Sequence, residues 1–282
     1  MNLAIITDST CDLPAEELQK LGVERVPLYV NFKGDVFKDW LEIGPKEIAD
    51  GVQGGADMPS TSQPSPQDFT NAYQEAVSSG ADEILCITIS SELSGTYQSA
   101  NVAKESVGVP VHVFDSQAAT VGIAMLLERA SEMRSEGQSI ETIMREMERI
   151  RDQSLLRFTV GSLDFLQKNG RIGGAQALLG GLLKIKPILG LVEGRVEPVG
   201  RVRGEKKARA EIVSQTQEYA SKEGGTPVVY FLHIQDPDAA ESLRTQLGES
   251  GLKFRDADTY EIGAVIASHV GPGTYGVYLY TE

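Results

Sequence analysis

Cysteine is nearly absent from this 282-residue chain, which has only Cys11 and Cys86. Two thiols cannot staple a disulfide scaffold, and a reducing cytoplasm is the simplest setting for them. Both fall in or just after predicted strands, where buried thiols are expected. No run of about 18 residues is apolar and free of charge, which excludes a membrane-spanning helix. The opening Met1-Asn2-Leu3-Ala4-Ile5-Ile6-Thr7-Asp8 lacks the basic start of a signal peptide and reads as a first strand. Histidine is as sparse: His112, His233 and His269 stand far apart, none at ligand spacing from another His or Cys, so no metal centre is expected. Two enzyme signatures are missing as well. Without G-x-x-x-x-G-K-[ST] there is no P-loop, and without G-x-S-x-G there is no nucleophile elbow. Gly271-Pro272-Gly273-Thr274-Tyr275-Gly276 matches G-x-G-x-x-G letter for letter, but it follows a predicted helix and leads into the last strand, so it reads as a turn.

What is present is ordinary for a globular protein, at 41% hydrophobic and 23% charged residues. One core stops growing near this length, so two domains of roughly 120–160 residues are expected. The net charge of −14 argues against general nucleic-acid binding. It is unevenly spread: residues 165–209 hold ten bases and three acids, a local +7 that leaves −21 for the rest. Two readings of that segment stay open, a solvated basic face and a surface that meets an anionic partner.

The first half alternates strand and helix. Strands are predicted at 3–7, 25–32, 83–89 and 110–114, and helices at 45–52, 66–80, 94–107, 117–135 and 139–151. Ser65 caps the second of these helices with Pro66 at its first position. Residues 58–66 read as a loop. Alternation of this kind means βαβ units and a parallel sheet. The second half mixes a hairpin (185–192 and 195–202) with short helices at 161–169 and 175–183 and longer elements at 205–222, 227–234 and 237–250, closing with 251–260, 262–269 and 276–281. The expected architecture is an N-terminal parallel α/β domain over 1–155 and a C-terminal α+β domain with a mixed sheet over 156–282.

Ligands of open parallel sheets bind beyond the carboxyl ends of the strands. Three such ends here carry hydroxyls: Thr7, Ser9 and Thr10; Ser90, Ser91, Ser94 and Thr96; Ser116 and Thr120. The Ser60-Thr61-Ser62 loop adds more. They read either as helix N-caps or, taken together, as a crevice for a polar head group or anion. His269 ends a helix beside a glycine turn, where it serves as a cap or points into a cleft. The apolar, glycine-broken stretch 177–192 is either core or the wall of a narrow apolar cavity.

Several motifs resemble the DegV family, which includes the fatty-acid-binding subunits of bacterial fatty acid kinase. They are Thr7-Asp8-Ser9-Thr10-Cys11-Asp12-Leu13-Pro14, Pro59-Ser60-Thr61-Ser62-Gln63-Pro64, Ser90-Ser91-Glu92-Leu93-Ser94-Gly95-Thr96, Phe114-Asp115-Ser116, Gly170-Arg171-Ile172, Lys186-Pro187-Ile188-Leu189, Arg203-Gly204-Glu205-Lys206-Lys207 and His269-Val270-Gly271-Pro272-Gly273. The match runs in order along the whole chain. Gly204 departs from it, standing where a threonine or similar residue is expected.

The resemblance implies an EDD-like first domain and a long-chain fatty acid, such as palmitate, buried between two domains. It implies a carboxylate held by Thr61, Ser94 and His269, with Ser62, Ser91 and Gly95 as further head-group contacts. It also implies a lipid-binding role in fatty acid metabolism without catalytic residues or cofactor. A partner kinase subunit would supply nucleotide and metal, and the basic segment, through Arg171, Arg201, Arg203, Lys206 and Lys207, would face that partner or an anionic membrane. The residues themselves leave two other readings open: a Ser94/His269 hydrolase of acyl esters and a carrier of another small anion.

Overall fold

The computed structural model describes residues 2–179 and 185–282. In chain order the first half runs β1 (Leu3–Asp8), α1 (Ala15–Leu21), β2 (Val23–Val26), β3 (Tyr29–Phe32), β4 (Asp35–Lys38), α2 (Pro45–Gln53), β5 (Ser60–Ser62), α3 (Pro66–Ser78), β6 (Glu83–Thr88), α4 (Thr96–Ala103), β7 (Val111–Asp115), α5 (Val121–Ser135) and α6 (Ile140–Gln153). Strands β2-β1-β6-β7 form a parallel sheet in that order. The central β6 is buried at every position, as a strand covered on both faces must be. Helix α3 starts where expected, at a capping box in which Ser65 Oγ accepts from the Asp68 amide and Asp68 accepts from the Ser65 amide. Helix α6 buries Ile140, Ile143, Met147 and Ile150 as one stripe.

The second half runs β8 (Leu155–Thr159), α7 (Asp164–Lys168), a 3-10 turn at Gly173–Leu178, β9 (Ile185–Val192), β10 (Arg195–Arg203), α8 (Glu205–Glu223), β11 (Pro227–His233), α9 (Pro237–Glu249), β12 (Arg255–Glu261), α10 (Ala264–Val270) and β13 (Tyr275–Thr281). Its sheet is mixed, ordered β10-β9-β8-β13-β11-β12, with only β11 and β12 parallel. The helix expected over 175–183 is a 3-10 turn as far as Leu178, and its last residues, 180–183, lie outside the described residues, as does Lys184 of the basic segment. Gly271 and Gly273 both take positive φ, so the G-x-G-x-x-G match is indeed the turn between α10 and β13.

Three local departures shape the site. The strand expected over 25–32 is two strands in different sheets. Pro27 has no amide for a ladder, and the Leu28 amide leaves for Ser9 Oγ at 3.0 Å. The chain then turns at Lys33-Gly34, both at positive φ, into β4. Ser60–Ser62, expected as loop, pairs with β3 and completes a small antiparallel sheet β4-β3-β5. Helix α4 begins at Thr96, not at Ser94, which leaves Ser94 in the preceding loop. The two halves share one core, which joins Ile5, Leu85 and Leu126 to Leu156, Phe158 and Tyr278. Gly122 of α5 lies against the Tyr278 ring of β13, where a Cβ would come within 2.3 Å.

Candidate functional site

A cavity of about 330 Å³ lies between the carboxyl end of the parallel sheet and the six-stranded sheet. Its wall is mostly apolar, with Leu28 and Ile89 from the first half facing Phe158, Leu232, Ile262 and Val265 from the second. That volume is at the small end of the range for small-molecule pockets and suits one slender apolar ligand. Polar side chains gather where β5, the Ser94 loop and the end of α10 approach one another.

Thr61 comes from β5, whose pairing of Thr61 with Val30 places it on the cavity side. His269 comes from the last turn of α10, and its Nε2 lies 2.7 Å from Thr61 Oγ1. Its Nδ1 is buried without a partner among the described residues. Burial, and then the nearby Arg171 charge, lower the imidazole pKa to about 4, so the ring is neutral at physiological pH. A neutral imidazole has one donor and one acceptor nitrogen, so the Thr61–His269 pair can present a hydroxyl or a ring N–H to an incoming oxygen.

Ser94 lines the same end of the cavity, with Oγ 2.8 Å from Thr96 Oγ1. Ser62 lines it too and is exposed. Ser91 is occupied elsewhere, its amide and hydroxyl both donating to Asp115. Gly95 has a packing role. Gln63 Nε2 donates to Gly95 O at 3.2 Å and to Ser99 Oγ at 3.0 Å, tying the end of β5 to the start of α4.

The five basic residues singled out in the sequence divide. Arg171 lines the cavity, its guanidinium fixed by Leu93 O at 3.0 Å and Asn169 O at 2.9 Å. Asn169 in turn donates to Ser268 O at 2.8 Å, so this cation is registered against the end of α10. Arg201, Arg203, Lys206 and Lys207 are exposed on β10 and the first turn of α8, and none lines the cavity. Arg201 borders a separate groove of about 580 Å³ beside the Lys186–Glu205 ion pair.

Gln63 and Thr274 line the cavity without having carried any expectation from the sequence, whereas Thr120, one of the expected strand-end hydroxyls, lines it too. Thr120 holds φ +55°, a strained value for a β-branched residue, just before α5. Both cysteines are buried and free. Among the described residues no group of three or more His, Cys, Asp or Glu is arranged to hold a metal ion, and no helix is long and apolar enough to cross a membrane. His112 bonds Glu83 at 2.8 Å, and His233 is buried at the end of β11; neither lines the cavity.

The model of a family described as uncharacterised DegV proteins matches residues 2–282. A DegV domain-containing protein of Deinococcus radiodurans is 46% identical over 279 residues, covering 99% of this chain and 98% of the relative. A solved structure described as fatty acid binding by a DegV family protein from Thermus thermophilus superposes with a TM-score of 0.96 at 50% identity, over 100% of both chains. A stearic-acid-binding protein from Eubacterium ventriosum superposes with a TM-score of 0.92 at 29% identity, covering 100% of this chain and 98% of the other.

Proposed function

The chain belongs to the DegV family, and from that premise we propose that it binds one long-chain fatty acid in the cavity between its two halves and presents the carboxylate to a partner kinase. The observation that carries the reading is the Thr61–His269 pair, 2.7 Å apart at the polar end of an otherwise apolar cavity. Thr61, Ser94 and His269 hold the head group in this reading, with Ser62 beside them and Arg171 supplying positive charge at the mouth. The 1–155 and 156–282 halves act as the two jaws. Relatives described as binding a fatty acid support the ligand class.

Magnitudes divide the work. A palmitate-sized chain has about 14 methylenes, and at about 0.8 kcal/mol each their burial contributes on the order of 11 kcal/mol gross. A charge-assisted hydrogen bond contributes about 1.5–3 kcal/mol net. The wall therefore supplies affinity, while the polar end orients the carboxylate. With no phosphate-binding loop in the sequence, phosphoryl transfer falls to a separate subunit, which meets the exposed Arg201, Arg203, Lys206 and Lys207. The same basic residues suit transient contact with an anionic membrane during acyl exchange, and the protein acts as a carrier in the cytoplasm.

The hydrolase alternative is disfavoured by the same geometry. Ser94 bonds Thr96 while His269 bonds Thr61, and among the described residues no carboxylate orients His269 Nδ1. Denaturing extraction of the purified protein followed by mass spectrometry tests the proposal. A co-purifying long-chain fatty acid is expected. A polar metabolite in its place, or turnover of acyl esters, overturns it.

A further inference from the structure

Helix α10 carries His269 and much of one cavity wall, yet its N-terminus is held by the other half of the chain. The Gly263 amide donates to Asp12 Oδ1 at 3.0 Å, and the Val265 amide donates to Asp39 Oδ1 at 3.3 Å. Both carboxyls are buried, at 1% and 0% exposure. Asp12 Oδ1 also accepts from Trp40 Nε1 at 3.2 Å, and Asp39 Oδ2 accepts from Ser9 Oγ at 2.7 Å. The fit leaves no slack: a Cβ on Gly263 would come 2.7 Å from Asp12 Oδ1 and 2.3 Å from Trp40 Nε1. Ala264 and Val265 pack with Leu28, Val30, Phe32 and Ile48 of the small sheet and α2. Helix α10 is thus an element of the second half docked on the first.

We propose that Asp12 and Asp39 are positioning residues for the head-group site, fixing α10 by its first amides so that His269, at the other end, stands in register with Thr61. This rests on the fatty-acid reading above. A seven-residue helix is about 10 Å long and rigid on that scale, so displacement at Gly263 is carried to His269. Arg25, whose guanidinium lies 5.4 Å from the Trp40 ring centroid, offsets the Asp39 charge, whereas Asp12 is buried against that Asp39 charge. Among the described residues, Asp12 Oδ2 and Thr120 Oγ1 are both buried and without partners at hydrogen-bond geometry, although Thr120 is close enough to Asp12 to bear on its ionisation. A proton on Asp12 Oδ2, donated toward Thr120, satisfies both atoms and leaves one net carboxylate against Arg25. Neutral Asp12 predicts that Asp12→Asn, which keeps an acceptor for the Gly263 amide and offers a donor to Thr120, is tolerated where Asp12→Ala is not.

The test compares palmitate with hexadecanol, which share a tail and differ in head group, on wild type, Asp12→Asn, Asp12→Ala, Asp39→Asn and Asp39→Ala. Both alanine variants are expected to lose about tenfold in palmitate affinity while hexadecanol binding changes less than about twofold; Asp12→Asn is expected to match wild type. Parallel loss of both ligands means a merely structural role and overturns the proposal, as does an unchanged preference for the acid. Labelled-histidine NMR on ligand-free protein gives a second readout. His269 is expected to titrate nearer the ordinary histidine range in the alanine variants, as its ring leaves its buried place near Arg171, and unchanged titration overturns positioning. Should an alanine variant not fold, Asp39→Asn, which weakens the Ser9 contact, carries both measurements with the same expected direction. If wild type binds no palmitate, the fatty-acid reading fails by itself, and the NMR result still decides whether the two acids place His269.

Discussion

Thr61 and His269 meet at 2.7 Å although 208 residues separate them in the chain. One sits on an edge strand of the small antiparallel sheet, the other at the end of a helix in the second half. Each supplies the other's hydrogen bond at the end of an apolar cavity, so the polar site exists only while both elements are docked. Stability and ligand retention are therefore coupled at this pair.

Thr61→Val keeps the shape and removes the hydroxyl, leaving His269 without either ring partner. The expected cost is about 1–3 kcal/mol of stability. Thermal melts run alongside quantification of extracted fatty acid check it, and both readouts should fall together.

Ser94 and Ser91 separate a cavity residue from a neighbour of the same type. Ser94→Ala should weaken fatty acid binding about tenfold or more, through loss of a charge-assisted bond. Ser91→Ala, which removes the hydroxyl's bond to Asp115 and keeps the amide's, should bind as wild type does. Direct titration of a fluorescent fatty acid into delipidated protein compares them.

Gly95→Ala would place a Cβ 2.2 Å from Gln63 Oε1. The exposed Gln63 side chain swings aside at little strain, but its bonds to Gly95 O and Ser99 Oγ are lost, which releases the end of β5 from α4 at about 0.5–1.5 kcal/mol per bond. A lower melting temperature with faster loss of bound acid is the expected result; faster loss without destabilisation would place the effect in the mouth alone.

Acid titration should show two opposed contributions. Burial raises the Asp39 carboxyl from 3.8 to about 6, so the folded state binds that proton more tightly, and stability from this group falls as pH rises across that interval. Burial, with Arg171, lowers His269 from 6.5 to about 4, so stability from the ring rises with pH over nearly the same interval. Relative to wild type, Asp39→Asn should gain stability more steeply between about pH 4 and 6, and His269→Gln less steeply. Melts at half-unit steps of pH in one ionic strength check the two slopes.

Reversal of the exposed pair, Arg203→Glu with Lys206→Glu, should slow liposome exchange and kinase-coupled turnover at low salt. The difference from wild type should shrink as salt rises, because exposed charges are screened beyond about 10 Å at roughly 0.1 M. Bound acid should be retained equally, since neither side chain lines the cavity. Equal rates at every salt concentration would mean that this basic face only meets solvent.

By itself the sequence determined the elements whose signals are local. The Ser65–Pro66 start of α3, the Ile140–Ile150 stripe of α6, the 185–202 hairpin and the alternation that makes a parallel sheet follow from caps, periodicity and turn residues within a few positions of one another. Its ordered motifs also pointed to the family. Tertiary structure alone decided what those residues do. Pro27 lies inside the single strand expected over 25–32, and only the Ser9 hydroxyl that takes the Leu28 amide shows where the chain leaves for a second sheet. Ser91 and Ser94 carry the same chemistry three positions apart, and the placement of Asp115 separates them. Arg171 was grouped by charge with Arg201 and Arg203 but stands at the cavity. Asp39 had no local signal at all, because a carboxyl's burial and partners are set by whichever distant segments close over it, here Ser9 and the first amides of α10.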